Sequence, residues 1–140
     1  MTKIVGIRMT GVRKTPKKVK EKKEISILAV DDTPLSLNLL KVALQTTEYK
    51  ITCVNSGRLA LRFIKRNNPD LFLLDIEMPE MDGYELAKKI KESGQIAPVI
   101  FLTASATKGC VKKAAEAGAV DYIVKPIDSR KLLAKIKKYL

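Results

Sequence analysis

The 140-residue chain has no histidine and no tryptophan, only two cysteines, and few aromatic residues, three Phe and four Tyr. Each shortage removes a class of function. Without histidine, the commonest general base, the commonest metal ligand and any histidine-based phosphoryl carrier are missing, so chemistry must rest on carboxylates, lysine and hydroxyls. Cys53 and Cys110 lie far apart, one in a strand pattern and one in a helix pattern. They read as buried thiols in a reducing compartment rather than as a disulfide staple. No apolar run reaches bilayer length, and no apolar segment precedes a small-residue cleavage site at the amino terminus. A soluble, cytoplasmic protein is the expectation.

What is present is enough for one real core, since 46% of the residues are hydrophobic and the length is that of a single domain. The net charge of +12 is unevenly placed: residues 1–24 hold nine Lys+Arg against two Glu, and residues 25–140 hold 18 against 13. The first segment joins a mixed stretch, MTKIVGIRMTGV, to a basic run, RKTPKKVKEKKE. It reads as a flexible extension, and residues 25–140 read as one compact domain with nothing left over for a second.

From Ile25 apolar runs alternate with amphipathic segments. ISILAV (25–30), YKITCV (49–54), LFLLD (71–75), VIFL (99–102) and the short run 122–124 read as strands. Continuous apolar runs, rather than strict alternation, mark parallel strands covered on both faces. Between them Thr33-Pro34, Ser56-Gly57 and Asp82-Gly83 open helices, a poorer helix covers about 107–117 and ends at Gly118, and Ser129 caps the last. The buried stripes expected are Leu37, Leu40, Ala43 and Leu44 in the first helix, and Leu132, Leu133, Ile136 and Leu140 in the last. Lys131, Lys135, Lys137 and Lys138 form the last helix's solvated face. Five strands alternating with five helices imply an α/β doubly wound parallel sheet.

Polar residues stand at the strand ends: Asp31 and Asp32 after the first, Asp75 after the third, Thr103 after the fourth, Lys125 after the fifth. All share one edge of a parallel sheet, and in the order 2-1-3-4-5 the first and third strands are neighbours at the switch point where ligands bind. Three carboxylates brought together repel unless a cation intervenes, and oxygen ligands without His or Cys point to Mg²⁺. An ionised Asp75 could attack phosphorus without a general base. Mg²⁺, the Lys125 ammonium and the Thr103 hydroxyl would then each meet one phosphoryl oxygen.

In these motifs, Asp31-Asp32, Asp75 with Met78-Pro79 and Asp82-Gly83, Thr103-Ala104 and Lys125-Pro126, the chain from about Ile25 to Leu140 resembles the receiver domain of two-component response regulators, the CheY-like, flavodoxin-like (βα)5 family. The resemblance implies that Asp75 takes a phosphoryl group from a phosphohistidine of a sensor histidine kinase or histidine phosphotransfer protein. It implies Mg²⁺ held by Asp32, Asp75 and the main-chain carbonyl of Glu77, with Asp31 acting largely through water. It also implies a switch made of Thr103 and Tyr122, a cis bond before Pro126, and acyl-phosphate lifetime tuned at Glu77 and Ser105. Output and dimerisation would use the face of the fourth helix, fifth strand and fifth helix.

On this reading the protein is a signalling module, not an enzyme acting on a separate substrate, and its output is a protein contact. Two alternatives stay open. One is a degenerate receiver acting through the basic arm on nucleic acid or an anionic membrane. The other is an aspartyl-phosphate hydrolase, whose pattern places a second Asp two positions after the nucleophile; here that position is Glu77.

Overall fold

A computed structural model describes residues 24–140. The basic extension expected over 1–24 lies, but for Glu24, outside the described residues. The elements follow in the order β1 (Ser26–Val30), α1 (Pro34–Leu44), β2 (Lys50–Val54), α2 (Gly57–Phe63), β3 (Leu71–Asp75), α3 (Gly83–Glu92), β4 (Val99–Thr103), α4 (Lys108–Glu116), β5 (Asp121–Val124) and α5 (Ser129–Tyr139). The five strands form one parallel sheet in the order β2-β1-β3-β4-β5. This is the doubly wound sheet that the alternation of runs implies, in the flavodoxin-like order that the resemblance implies.

The apolar runs explain the layering. Every residue of β3 and β4 is buried, and so are four of the five in β1. Side chains of one strand alternate between faces, so two cores form. Leu28, Val30, Phe72, Leu74 and Phe101 pack with Leu86 and Ile90 of α3 on one face. Ile27, Ala29, Leu71, Leu73, Ile100 and Leu102 pack with Leu40 and Leu44 of α1 and Leu132 and Ile136 of α5 on the other. Edge strand β2 is only half-buried.

Several local expectations are corrected. The last helix is capped by Asp128, whose side chain accepts from the amides of Arg130 and Lys131, and Ser129 is its first helical residue. One carboxylate oxygen, Asp128 Oδ1, accepts from both amides, so the cap falls one residue before Ser129. Leu140, expected in the core face, is 42% exposed because α5 ends before it. Cys53 and Cys110 are half-buried, since one sits on edge strand β2 and the other on α4, which buries only Ala114. Lys135 does not join the solvated face; its Nζ donates to Asp121 Oδ1 at 2.9 Å and to the Tyr122 carbonyl at 2.7 Å. Among the described residues, no helix is long and apolar enough to cross a membrane.

Candidate functional site

The carboxyl ends of β1, β3, β4 and β5 converge on one edge, and the turn chemistry there decides where each side chain points. Asp31 follows β1 and is fully buried. Its Oδ1 accepts from the backbone amide and the hydroxyl of Thr33, each at 3.0 Å, an Asx-type turn that carries the chain into α1. Its Oδ2 accepts from Lys125 Nζ at 2.9 Å. Asp32, next in the chain, is half-buried.

Asp75 ends β3 and is only 5% exposed. Lys125 Nζ donates to its Oδ1 at 3.3 Å, and the same ammonium lies 3.4 Å from Ser36 Oγ at the start of α1. One cation thus spans β1, β3 and the helix between them in sequence. Asp31, Asp32 and Asp75 each offer a carboxylate oxygen, and the three lie within 4.8 Å of one another.

Electrostatics follow from this crowding. Burial pushes the Asp75 carboxyl up to about 6, the neighbouring Asp31 adds to the rise, and Lys125 opposes both. Burial also disfavours the Lys125 ammonium. The hydrogen bonds and charges of Asp31 and Asp75 together outweigh it and hold Lys125 above the ordinary lysine value. Three carboxylates against one ammonium leave an excess of negative charge in a buried pocket with only oxygen donors. That set fits a hard divalent cation of the Mg²⁺ type, which takes one or two carboxylates and keeps several waters.

The loop after Asp75 is fixed by backbone. Gly83 N donates to Ile76 O at 2.7 Å, and Asp82 caps α3 by accepting from Glu85 N at 2.9 Å. Glu77 is exposed at the mouth of this loop, with its side chain outside the carboxylate cluster.

Thr103, at the end of β4, is buried. Its hydroxyl donates to Ser105 O at 2.7 Å and accepts from Ser105 N at 3.0 Å, so it is engaged by its own loop. Lys125 N donates to Thr103 O at 2.7 Å, coupling the two strand ends. The Lys125–Pro126 bond is cis. Tyr122 is half-buried and shares with Thr103, Ser105, Ile76 and Ala114 a narrow gap without room for water. The Lys135 ammonium sits 5.2 Å from the centre of its ring.

Asp31, Asp32, Asp75 and Lys125 are therefore brought together, Thr103 ends the strand next to that of Asp75, Tyr122 lies on β5, two strands from Asp75, and Pro126 follows Lys125. Sequence reasoning missed Thr33 and Ser36. An Asp two residues before a Thr at a helix start is the local signal for Thr33. Ser36 carries no such signal, because its contact with Lys125 spans 89 residues.

Residues 27–137 match the family described as the response regulator receiver domain. The chain is 34% identical over 117 residues to the polar-differentiation response regulator DivK of Brucella ovis, covering 82% of this chain and 95% of DivK. It is 37% identical over 116 residues to the transcriptional regulatory protein ZraR of Escherichia coli, covering 83% of this chain. That match spans about a quarter, 26%, of ZraR. Among solved structures, it resembles the receiver domain of sensor histidine kinase PA1611 of Pseudomonas aeruginosa, solved with a magnesium ion coordinated in the active site cleft. The TM-score there is 0.75 at 30% identity, covering 84% of this chain and 98% of the other.

Proposed function

The chain belongs to the response regulator receiver domain family, and we propose that it is a working receiver whose Asp75 accepts a phosphoryl group in a Mg²⁺-dependent reaction. The observation that carries this reading is the Lys125 ammonium held between Asp31 and Asp75, 2.9 and 3.3 Å from their oxygens, amid three clustered carboxylates. A retained fold with lost chemistry would have no need of a buried cluster that repels itself.

Asp32, Asp75 and the Glu77 carbonyl would hold the cation, with Asp31 acting through water and through its hold on Lys125. When bound, Mg²⁺ neutralises charge on the phosphoryl oxygens. At neutral pH a carboxyl with a pKa of about 6 is about nine-tenths ionised, so an Asp75 oxygen attacks phosphorus without a base. The new P–O bond forms as the donor's P–N bond breaks, and the bonding pair leaves with the imidazole. That imidazole belongs to a sensor histidine kinase or a phosphotransfer protein, since this chain has no histidine. Lys125 meets a second phosphoryl oxygen, and Thr103 a third after its hydroxyl gives up Ser105 O.

Movement of Thr103 vacates space beside Tyr122, which turns inward and alters the face of α4, β5 and α5, where Val111, Val120 and Val124 stay exposed. That face carries the output contact or a homodimer. The receiver occupies residues 25–140, and the basic residues 1–24 are an extension to it.

Intact-mass spectrometry after incubation with acetyl phosphate tests the reading. The expected result is one phosphoryl adduct that needs Mg²⁺ and is absent from Asp75→Asn. An adduct on that variant moves the acceptor elsewhere, and no adduct on the wild type under any condition ends the proposal.

A further inference from the structure

Two stretches of the body each carry five Lys+Arg and no Asp or Glu, residues 49–69 and residues 129–140. Of the 18 Lys+Arg in residues 25–140, five (Lys50, Arg58, Arg62, Lys65 and Arg66) lie in residues 49–69, with none of the 13 carboxylates. These five lie on β2, on α2 and in the turn after it, whereas in the second stretch Lys135 reaches Asp121 at 2.9 Å. Helix stability accounts for Arg62, which stands in the last turn of α2 where the dipole favours a cation, but not for Arg58. No acidic residue stands in the first turn of the seven-residue α2, and Arg58 occupies that turn, where the helix dipole disfavours a cation. Arg58 and Arg62 are like charges at helical neighbour spacing, which weakens a helix. In α3, by contrast, Lys89 lies 4.0 Å from Glu85. Among the described residues no carboxylate forms an ion pair with Arg58, Arg62 or Lys65.

These three cations line one wall of an open groove of about 470 Å³ between α2 and the loop joining β3 to α3. The groove has an apolar lining from Leu61, Pro79 and Met81. Met81 packs so closely on Gly57 that an added Cβ there would lie 2.6 Å from its Sδ. The opposite wall carries Glu80 and Glu85. Glu80 has φ 70°, the left-handed region that favours glycine, so a carboxylate is kept on this rim against the backbone preference.

One cationic wall, one anionic wall and an apolar lining define the occupant. A uniformly anionic polymer such as nucleic acid would meet Glu80 and Glu85 across the groove. A small anion would leave the apolar lining wet. The chain's own residues 1–24 have the wrong sign for the α2 wall. We propose that this groove docks a polypeptide segment of a partner protein in which an apolar side chain stands between acidic residues on one side and basic residues on the other. Its carboxylates meet Arg58, Arg62 and Lys65, its cations meet Glu80 and Glu85, and its apolar side chain covers Leu61 and Met81.

The test is fluorescence anisotropy with a short labelled peptide of repeating Glu-Leu-Lys triplets, a counterpart with serine in place of leucine, and a random-sequence DNA duplex. Arg62→Glu is compared with Arg66→Glu, which makes the same charge change on an exposed residue outside the groove. The expected result is binding of the leucine peptide that weakens about tenfold, or 1.4 kcal/mol, in Arg62→Glu and much less in Arg66→Glu. Binding should also weaken severalfold with added salt. Equal losses in the two variants, equal binding of the serine peptide, tighter binding of DNA, or no binding of the leucine peptide would each overturn the proposal. No phosphodonor is present, so the outcome is independent of whether Asp75 accepts a phosphoryl group.

Discussion

Gly83 contributes no side chain to the site, and the site depends on that. A Cβ at this position would collide with the Asp75 carbonyl oxygen and lie 2.8 Å from Ile76 Cα. Both obstacles are backbone, so relief requires moving the Asp75 main chain itself. Gly83→Ala is expected to cost about 1–3 kcal/mol in urea unfolding and to slow Asp75 labelling by acetyl phosphate. Unchanged values for both would mean that the loop yields freely. Residue identity was readable at this site further than residue contact. Asp31, Asp75 and Lys125 announce themselves by standing at strand ends, whereas the need for Gly83 arises only when the loop folds back under Ile76. Ser36 was hidden for the same reason, since its relation to Lys125 exists only in three dimensions.

The elements were legible because each apolar run is short, uninterrupted and closed by a turn residue. The structure shifts strand limits by one residue, as at Tyr49 and Asp121, where a flanking residue joins or leaves the ladder. Caps were less legible. Asp128 and Ser129 are adjacent, and either residue type suits the position before a helix. Only the geometry selects Asp128, whose Oδ1 lies 2.9 Å from Arg130 N and 3.3 Å from Lys131 N. Asp128→Ala is expected to destabilise the protein by about 0.5–2 kcal/mol, and Ser129→Ala by much less, as read from urea midpoints. A larger loss in Ser129→Ala would return the cap to serine. Lys135 shows how tertiary contact overrides a helical pattern. Its spacing suits a solvated face, yet Asp121 and the Tyr122 carbonyl draw its ammonium back onto β5.

For the molecule as a whole, the carboxylate cluster sets a cost that a bound cation would relieve. Alternation implied a doubly wound sheet, and the order 2-1-3-4-5, which goes with the resemblance, joins β1 to β3 and brings three aspartates together; the energetic consequence needed their burial. Burial and Asp31 raise Asp75 to about 6 from an ordinary 3.8, so the folded protein binds the Asp75 proton more tightly than the unfolded chain. Between these values the native state holds more protons, and stability from this group falls as pH rises. Below about 4 both states are protonated and the penalty is absent; above about 6 it is complete, at about 1–3 kcal/mol. In metal-free protein, Asp75→Asn is therefore expected to raise stability at pH 7 by that order and to leave it nearly unchanged near pH 4, where other carboxylates act on both proteins alike. Mg²⁺ at pH 7 should raise the melting temperature of the wild type, because it binds the native cluster, and should do so much less in Asp75→Asn. Thermal melts of both proteins at the two pH values, with and without Mg²⁺, separate these terms. A wild type that matches Asp75→Asn at pH 7 without metal would mean that Lys125 already neutralises the cluster, and the demand for a cation would then come from the phosphoryl group alone.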